Sequence, residues 1–246
     1  MSAPQIQRIS ILPFGMVNCH LIIQGQNCIV VDTGLPGSAG KIIRALKRHG
    51  LDQSHIRLVV ITHAHVDHAG SAAALRELSG APIAGHDGDL AYYQQKQQMH
   101  FCSTGWFGRL FLRTGLILQP YQPFTPDILL SGDDTLDLNC YGITGLLKPT
   151  PGHTAGSLSV ELPSRDAMVG DLLASGILLG GLLRTGHAIR PPFEDNALVV
   201  AQQLQNLLDA GVERFYMGHG GPLPAQEVAA HVRRLHVVAQ PACCQH

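Results

Sequence analysis

The stretch "THAHVDHAG", Thr62 to Gly70, sets His63, His65, Asp67 and His68 directly after the apolar run "RLVVI". His63 and His65 are two residues apart, so on extended backbone leaving a strand they project to one side and can reach a common ion. Asp67 and His68 follow at the turn into a helix, where the chain changes direction and can aim a second pair at a neighbouring point. Transition metals take neutral imidazole nitrogen and carboxylate oxygen, and this cluster supplies both. The bland alternative is a polar loop with solvated histidines. The spacing and the buried strand in front of it argue against that.

Further ligands are expected at the ends of other strands, where separate segments converge. Three positions qualify: His153 in "TPGHTAGS", Asp171 after "AMVG", and His219 in "YMGHGGP". Each alone has an ordinary explanation as a satisfied histidine, a helix cap or a turn residue. As an ordered set with the first cluster they form a pattern that chance seldom produces.

The elements that must position these residues follow from apolar patterning. Strands are expected at about 6–12, 18–23 and 28–32, with "QGQN" as a hairpin turn between the last two. Ser38 opens an amphipathic helix that stops at Gly50. "IRLVVIT" is a buried strand, "GSAAALRELSG" a helix and "APIAG" a short strand. From Asp127 onward, "DILLSGDDTLDL", "ITGLLKPTPG", "GSLSVELP" and "DAMVGD" read as four successive strands. The helix "NALVVAQQLQNLLDAG", the strand "VERFYMGHG" and the helix "PAQEVAAHVRRLHVV" close the chain. Strand runs from both halves with helices between them suggest two sheets sandwiched by helices. The 246 residues are expected to form a single domain (1–246), with an inserted lid-like segment at about 87–126.

That insertion is rich in Gln and aromatics and holds the only tryptophan, Trp106. Its first part looks helical, and Pro120, Pro123 and Pro126 break regular structure at its end. It reads as a helical hairpin packed on the body, as a lid whose aromatics wall a substrate site, or as both.

Composition bounds the class. Hydrophobic residues make up 45% and charged residues 14%, which excludes a disordered chain. A net charge of −1 leaves no electrostatic footprint for nucleic acid or an anionic membrane. Met1 to Gln7 shows no basic-then-apolar secretory pattern, and "LLASGILLGGLL" is too short and glycine-broken for a membrane span. The expected location is cytoplasmic, and the six cysteines, lacking CxxC spacing, read as reduced thiols. The terminal Cys243, Cys244 and His246 could bind a stray metal.

"THAHVDHAG", "PTPGHTAGS", "VGD" and "GHG" together resemble the metallo-β-lactamase superfamily of metal-dependent hydrolases. "VNCHLIIQGQNCIVVDTGLPG" (17–37) is similar to that family's opening hairpin and Asp-Thr-Gly turn. The resemblance implies an α+β fold, an αββα four-layer sandwich of two mixed sheets flanked by helices, with the site at one edge between the sheets. It implies that His63, His65 and His153 hold one metal, that Asp67, His68 and His219 hold a second, and that Asp171 bridges them. Asp32 would stand outside the ligand set and orient the loop. Two divalent ions, zinc above all with iron or manganese as alternatives, would lie roughly 3.5–4 Å apart and turn a bridging water into hydroxide at neutral pH. Asp67 is expected to hold a catalytic proton as well and pass it to the leaving group.

The expected substrate is a small ester, thioester, lactone or amide. Asp171 in the bridging position resembles the glyoxalase II and lactonase branches more than true β-lactamases. Acyl-homoserine lactonases carry a tyrosine shortly after that aspartate, where this chain has Ala174. Glyoxalase II carries a basic glutathione-binding residue further on, where this chain has "GILLGGLL". Trp106, Phe107, Phe111, Ile177 to Leu179, Leu182 and Leu183 offer apolar surface for an acyl or aromatic tail. Arg184, His187 and Arg190 are candidates to pair with an anion, or belong to a solvated loop. Alternatives in other classes are a mononuclear iron sulfur dioxygenase, a β-lactamase-type amide hydrolase, and a binding protein that keeps the fold and metals with little turnover.

Overall fold

Apolar runs bounded by turns become strands throughout. In the computed structural model, which describes residues 3–177, 179, 180 and 183–237, β1 (Gln5–Leu12), β2 (Val17–Gln24) and β3 (Asn27–Val31) form an antiparallel meander. Gln24 pairs with Asn27, so the hairpin turn holds only Gly25 and Gln26, with Gly25 in the left-handed region at φ 61°. The amphipathic helix α1 (Ala39–Lys47) leads to β4 (Ile56–Val60). The histidine stretch opens the one-turn helix α2 (Val66–Ala69), then α3 (Ala72–Ser79) and β5 (Ile83–His86) follow. The insertion contributes α4 (Leu90–Tyr93) and α5 (Trp106–Arg113). The chain continues through β6 (Ile128–Leu130), β7 (Leu136–Asp137), β8 (Leu146–Pro149), β9 (Leu158–Leu162) and β10 (Asp166–Met168). A short hairpin of β11 (Ala174–Ser175) and β12 (Ala188–Ile189) precedes α6 (Ala197–Asp209), β13 (Arg214–Tyr216), β14 (Leu223–Pro224) and α7 (Ala225–Val237).

Two six-stranded sheets result, ordered β1-β2-β3-β4-β5-β6 and β14-β13-β10-β9-β8-β7. The stretch "DILLSGDDTLDL", read from sequence as one strand, is two. Its first part, β6, pairs in parallel with β5 in the first sheet, and its second, β7, pairs with β8 in the other. Gly132 at φ 56° lies in the turn between them, where the chain crosses from sheet to sheet.

Three apolar layers separate the four structural layers. On β2 and β3, Leu21, Ile23, Cys28 and Val30 face α1 and α3 with Ile42, Leu46 and Leu75, while Ile22, Ile29 and Val31 face the other sheet. Both faces of these strands are buried, which is why they read as continuous apolar runs rather than alternating ones. Leu147, Leu158, Val160 and Met168 complete the inter-sheet layer. The outer face of the second sheet packs Ala167 and Phe215 against Val200, Leu204, Val228 and Leu235 of α6 and α7. Asn196 caps α6, its side chain accepting from the N–H groups of Leu198 and Val199.

The insertion departs from the expected helical start. Helical structure there is confined to a 3-10 turn at Asp87–Asp89 and to Leu90–Tyr93, and the glutamine-rich stretch is irregular. It is strapped down: Tyr121 Oη donates to the Ala64 carbonyl at 2.9 Å, Thr104 N–H donates to Pro192 O, and Glu194 N–H to Cys102 O. Cys19, Cys28 and Cys140 are free thiols, but Cys102 is disulfide-bonded, against the reading of all six as reduced. Spacing along the chain does not report which segments a fold brings within disulfide distance. Leu178, Leu182, Cys243, Cys244 and His246 lie outside the described residues. Among the described residues, no helix is long and apolar enough to cross a membrane.

One buried histidine is an electrostatic burden on this frame. His231, on the face of α7 beside Val228, Val232 and Leu235, has no hydrogen-bond partner for either ring nitrogen. Burial pushes its imidazole down to about 4. The unfolded chain accepts that proton near the ordinary value of about 6.5, so stability is full above that pH and is lost as pH falls toward 4. His231→Leu should therefore remove on the order of 2–3 kcal/mol of acid sensitivity between pH 7 and pH 4.5. Denaturant titrations at both pH values check this; an unchanged difference between them would refute it.

Candidate metal centre

The site forms where strands of both sheets end on the same side. His63 and His65 leave the carboxyl end of β4, and Asp67 and His68 ride on α2 immediately after it. His153 lies in the turn between β8 and β9, Asp171 just beyond β10, and His219 just beyond β13. β8, β10 and β13 run in one direction, and β3, β4 and β5 are mutually parallel, so carboxyl ends converge from both sheets. That is the usual place for sites in such sheets. The Leu158 N–H donates to Thr62 O, which ties the histidine loop of one sheet to a strand of the other.

Two donor groups result. Nε2 of His63, Nδ1 of His65 and Nε2 of His153 stand 3.1–3.2 Å from one another. Their rings are nearly perpendicular, at 80–84°. Beside them lie Asp67, His68 and His219, with His219 Nε2 3.4 Å from Asp67 Oδ2. Asp171 stands between: Oδ1 is 3.4 Å from His68 Nε2, and Oδ2 is 3.0 Å from His219 Nε2 and 3.9 Å from His153 Nε2. All but Asp67 are buried.

Three of the five rings, those of His63, His68 and His219, are held from the far side, so that the other nitrogen points inward. His68 Nδ1–H donates to Asp32 Oδ2 at 2.8 Å, and His219 Nδ1–H donates to Met16 O. His63 Nδ1 lies 3.1 Å from Thr62 Oγ1. Asp32 also accepts from Thr62 N–H at 2.8 Å and Thr62 Oγ1–H at 2.9 Å, so one carboxylate fixes both the loop and His68. It sits at φ 62°, a left-handed conformation that Asp tolerates better than most side chains.

Burial drives His63 and His65 well below the ordinary histidine range, and His153 to about 4. These imidazoles are neutral and present lone pairs, the form a metal takes. Burial also disfavours charge on His68 and His219, but the surrounding carboxylates, Asp171 foremost, raise His68 well above the usual range and His219 to about 9. Burial raises the Asp171 carboxyl, and His219 and His68 outweigh it and hold it well below the usual range. His68 and His219 thus hold protons that a cation would displace.

These residues fit a divalent metal. His68 Nε2, Asp67 Oδ1 and Asp171 Oδ1 are buried without a hydrogen-bond partner, a costly arrangement unless a ligand satisfies them. Three imidazole nitrogens packed at mutual contact have no protein acceptor or donor that serves them all. Gly218 keeps the space open, since a Cβ there would lie 2.3 Å from His68 Cε1 and 2.5 Å from Asp171 Oδ1.

Of the residues expected to bind substrate, Phe107 lines a cavity that reaches Asp67 and His219. Trp106 is 71% exposed and lines a neighbouring groove with Arg190. Arg190 donates to buried Glu194 through Nε at 3.0 Å and Nη2 at 2.7 Å, and His187 pairs with Glu227 at 3.1 Å. Arg184 is exposed, in the loop between β11 and β12. The fold does not gather these three cations into one anion site.

Sequence reasoning missed Asp89. Fully buried in the turn after β5, it accepts from Ala64 N–H at 2.8 Å and Thr154 Oγ1–H at 3.0 Å on Oδ2, and from Gly156 N–H at 3.0 Å on Oδ1. It therefore clamps the His63/His65 loop to the His153 loop. Gly156 permits this, because a Cβ there would lie 2.6 Å from Asp89 N. Burial raises the Asp89 carboxyl, opposed by those donors. The only sequence signal is a carboxylate three residues past a short buried strand. Asp89→Asn sets an amide N–H against backbone N–H donors. It should weaken metal uptake by roughly 10- to 100-fold, with far-ultraviolet circular dichroism unchanged. Competition with a chromophoric chelator measures this, and wild-type affinity would refute the clamp.

Comparison with known proteins agrees with this geometry. A family model described as the metallo-beta-lactamase superfamily matches residues 12–219. The protein YobT of Bacillus subtilis (strain 168) is 29% identical over 216 residues, covering 83% of each chain. From the same organism, YqgX, named a probable metallo-hydrolase, is 29% identical over 168 residues, covering 67% of this chain and 71% of its own. Among solved structures, the BLEG-1 B3 metallo-beta-lactamase superposes with a TM-score of 0.69 at 21% identity, covering 94% of this chain and 99% of that one. At that identity the likeness speaks for the fold. Its two helix-flanked mixed sheets and its buried histidine–aspartate cluster, together with the match over residues 12–219, place this chain in the metallo-β-lactamase superfamily of metallo-hydrolases.

Proposed function

We propose that this protein is a binuclear metallo-hydrolase that cleaves a small ester, thioester, lactone or amide. The observation that carries the reading is the position of Asp171, whose two oxygens face His68 and His219 at 3.4 and 3.0 Å while Oδ2 also lies 3.9 Å from His153. A carboxylate shared between two donor groups is what a bridging ligand requires. In this reading His63, His65 and His153 hold one ion, Asp67, His68 and His219 the other, and zinc is the favoured metal, with iron or manganese open to availability. Two divalent ions held there would supply hydroxide at neutral pH and polarise the scissile carbonyl.

The chain's own residues do the rest. Asp67 Oδ1 has no hydrogen-bond partner and Asp67 lines the cavity, so it is placed to take a proton and hand it to the leaving group. Asp32 keeps the His68 tautomer fixed through its Nδ1 bond. Phe101 and Phe193, with ring centroids 5.0 and 6.5 Å from His65, shield that side of the cluster from water.

Metal content of protein purified without added metal or chelator tests the reading. About two ions per chain are expected, lost to chelator together with activity and regained on adding zinc. A single iron with oxygen consumption on a persulfide would instead identify a sulfur dioxygenase. His153→Ala and Asp171→Ala should each lower kcat/KM by at least about a thousandfold. Normal turnover by metal-free His153→Ala protein would end the proposal.

A further inference from the structure

We infer that the substrate carries an uncharged aliphatic arm of medium length, seated in the cavity beside Asp67 and His219; this rests on the hydrolase reading and names its substrate class. The cavity measures about 350 Å³, at the small end of the range of roughly 300–1,000 Å³ for ligand sites. One wall comes from the body of the fold: Leu12 and Val17 around the β1–β2 turn, and Leu35 after the Asp-Thr-Gly turn. The insertion supplies the other, with Phe107 and Phe111 of α5 and Ile117 beyond it. Phe107 and Phe111 stack at 6.1 Å, and Phe111 stacks on Phe193 at 6.1 Å, so the aromatic wall is braced toward the cluster.

Asp67 and His219 belong both to this cavity and to the second donor group, so whatever fills it extends directly from the reacting centre. Among the described residues, no arginine or lysine lines it. The nearest cations foreseen for an anion are elsewhere and engaged, Arg190 with Glu194 and His187 with Glu227. A carboxylate-bearing arm would lose its hydration along these apolar walls, with no arginine or lysine among the described lining residues to pair with it. A methylene chain, by contrast, gains about fourfold in binding per carbon buried. The body wall, the insertion wall and the cluster thus select neutral acyl thioesters, esters or alkyl lactones with an arm of about six to ten carbons, the length a cavity of this size can hold. They disfavour an anionic tripeptide thioester.

Two measurements on the zinc-loaded protein separate this inference from the hydrolase reading. First, calorimetric titration with butanol, hexanol, octanol and decanol reads the cavity without turnover. Affinity should climb roughly two- to fourfold per carbon and level off near ten. Phe111→Ala should flatten the climb, whereas Leu198→Ala, on the exposed face of α6, should leave it intact. Second, kcat/KM is measured on N-acetylcysteamine thioesters of acetic to decanoic acid and on the ω-carboxylate analogue of the octanoyl compound. A rise with chain length and a loss of at least tenfold for the carboxylate are expected. Hydrolysis that is flat with length, or that prefers the carboxylate, overturns the inference and leaves the hydrolase reading standing. Alkanols that bind with the expected climb while no thioester, ester or lactone turns over support the cavity assignment and sink the hydrolase. Alkanol affinity independent of length overturns the inference whatever the turnover.

Discussion

Holding three neutral imidazoles with their nitrogens 3.1–3.2 Å apart, beside a second group rich in charge, is the constraint on which the structure turns. Such a cluster is costly without a cation, because desolvation is costly and the three inward nitrogens face only one another. The geometry is therefore imposed from outside. Asp32, Thr62, Met16 O and Asp89 each fix one ring or loop by its back, and the inward faces are left to coordinate. Asp32, Thr62 and Asp89 are buried as deeply as the ligands, so their bonds are not diluted by water.

The sandwich supplies the rigidity that such placement needs. Each anchoring residue sits within a few positions of a strand whose two faces are buried, so a loop shift would have to disturb packed strands. Sheet-to-sheet ties close the arrangement. Leu158 N–H donates to Thr62 O between the sheets, and Asn18 N–H donates to Gly218 O, which holds the His219 turn against β2. Asn18 Nδ2 reinforces this by donating to Gly15 O at 3.1 Å and Gly220 O at 3.0 Å. The low charge content follows from the same architecture, since strands buried on both faces leave few positions for charge.

The insertion turns a general metal-site scaffold into a particular one. Its straps to Ala64 and to the segment around Pro192 and Glu194 keep Phe101 against His65, while Trp106 stays exposed. In the proposed reading the chemistry would belong to the strand-end residues, and the choice of substrate to α5 and the turns facing it. That division follows from fold and site being separable physical problems.

The sequence by itself determined the strands, the helices and the four-layer class, because apolar period and turn residues report burial locally. It also offered His63, His65, Asp67, His68, His153, Asp171 and His219 as one candidate set, which the fold gathers into two adjacent donor groups. Tertiary structure alone decided that β6 and β7 belong to different sheets, because strand pairing is a long-range choice between edges that a local pattern cannot rank. It alone made Asp89 a clamp, for its donors come from Ala64, Thr154 and Gly156, far away along the chain. It alone tied Arg190 to Glu194 and His187 to Glu227, partners that their sequence neighbourhood did not announce. A residue's type fixes what bond it can make; only the folded chain fixes which partner is within reach.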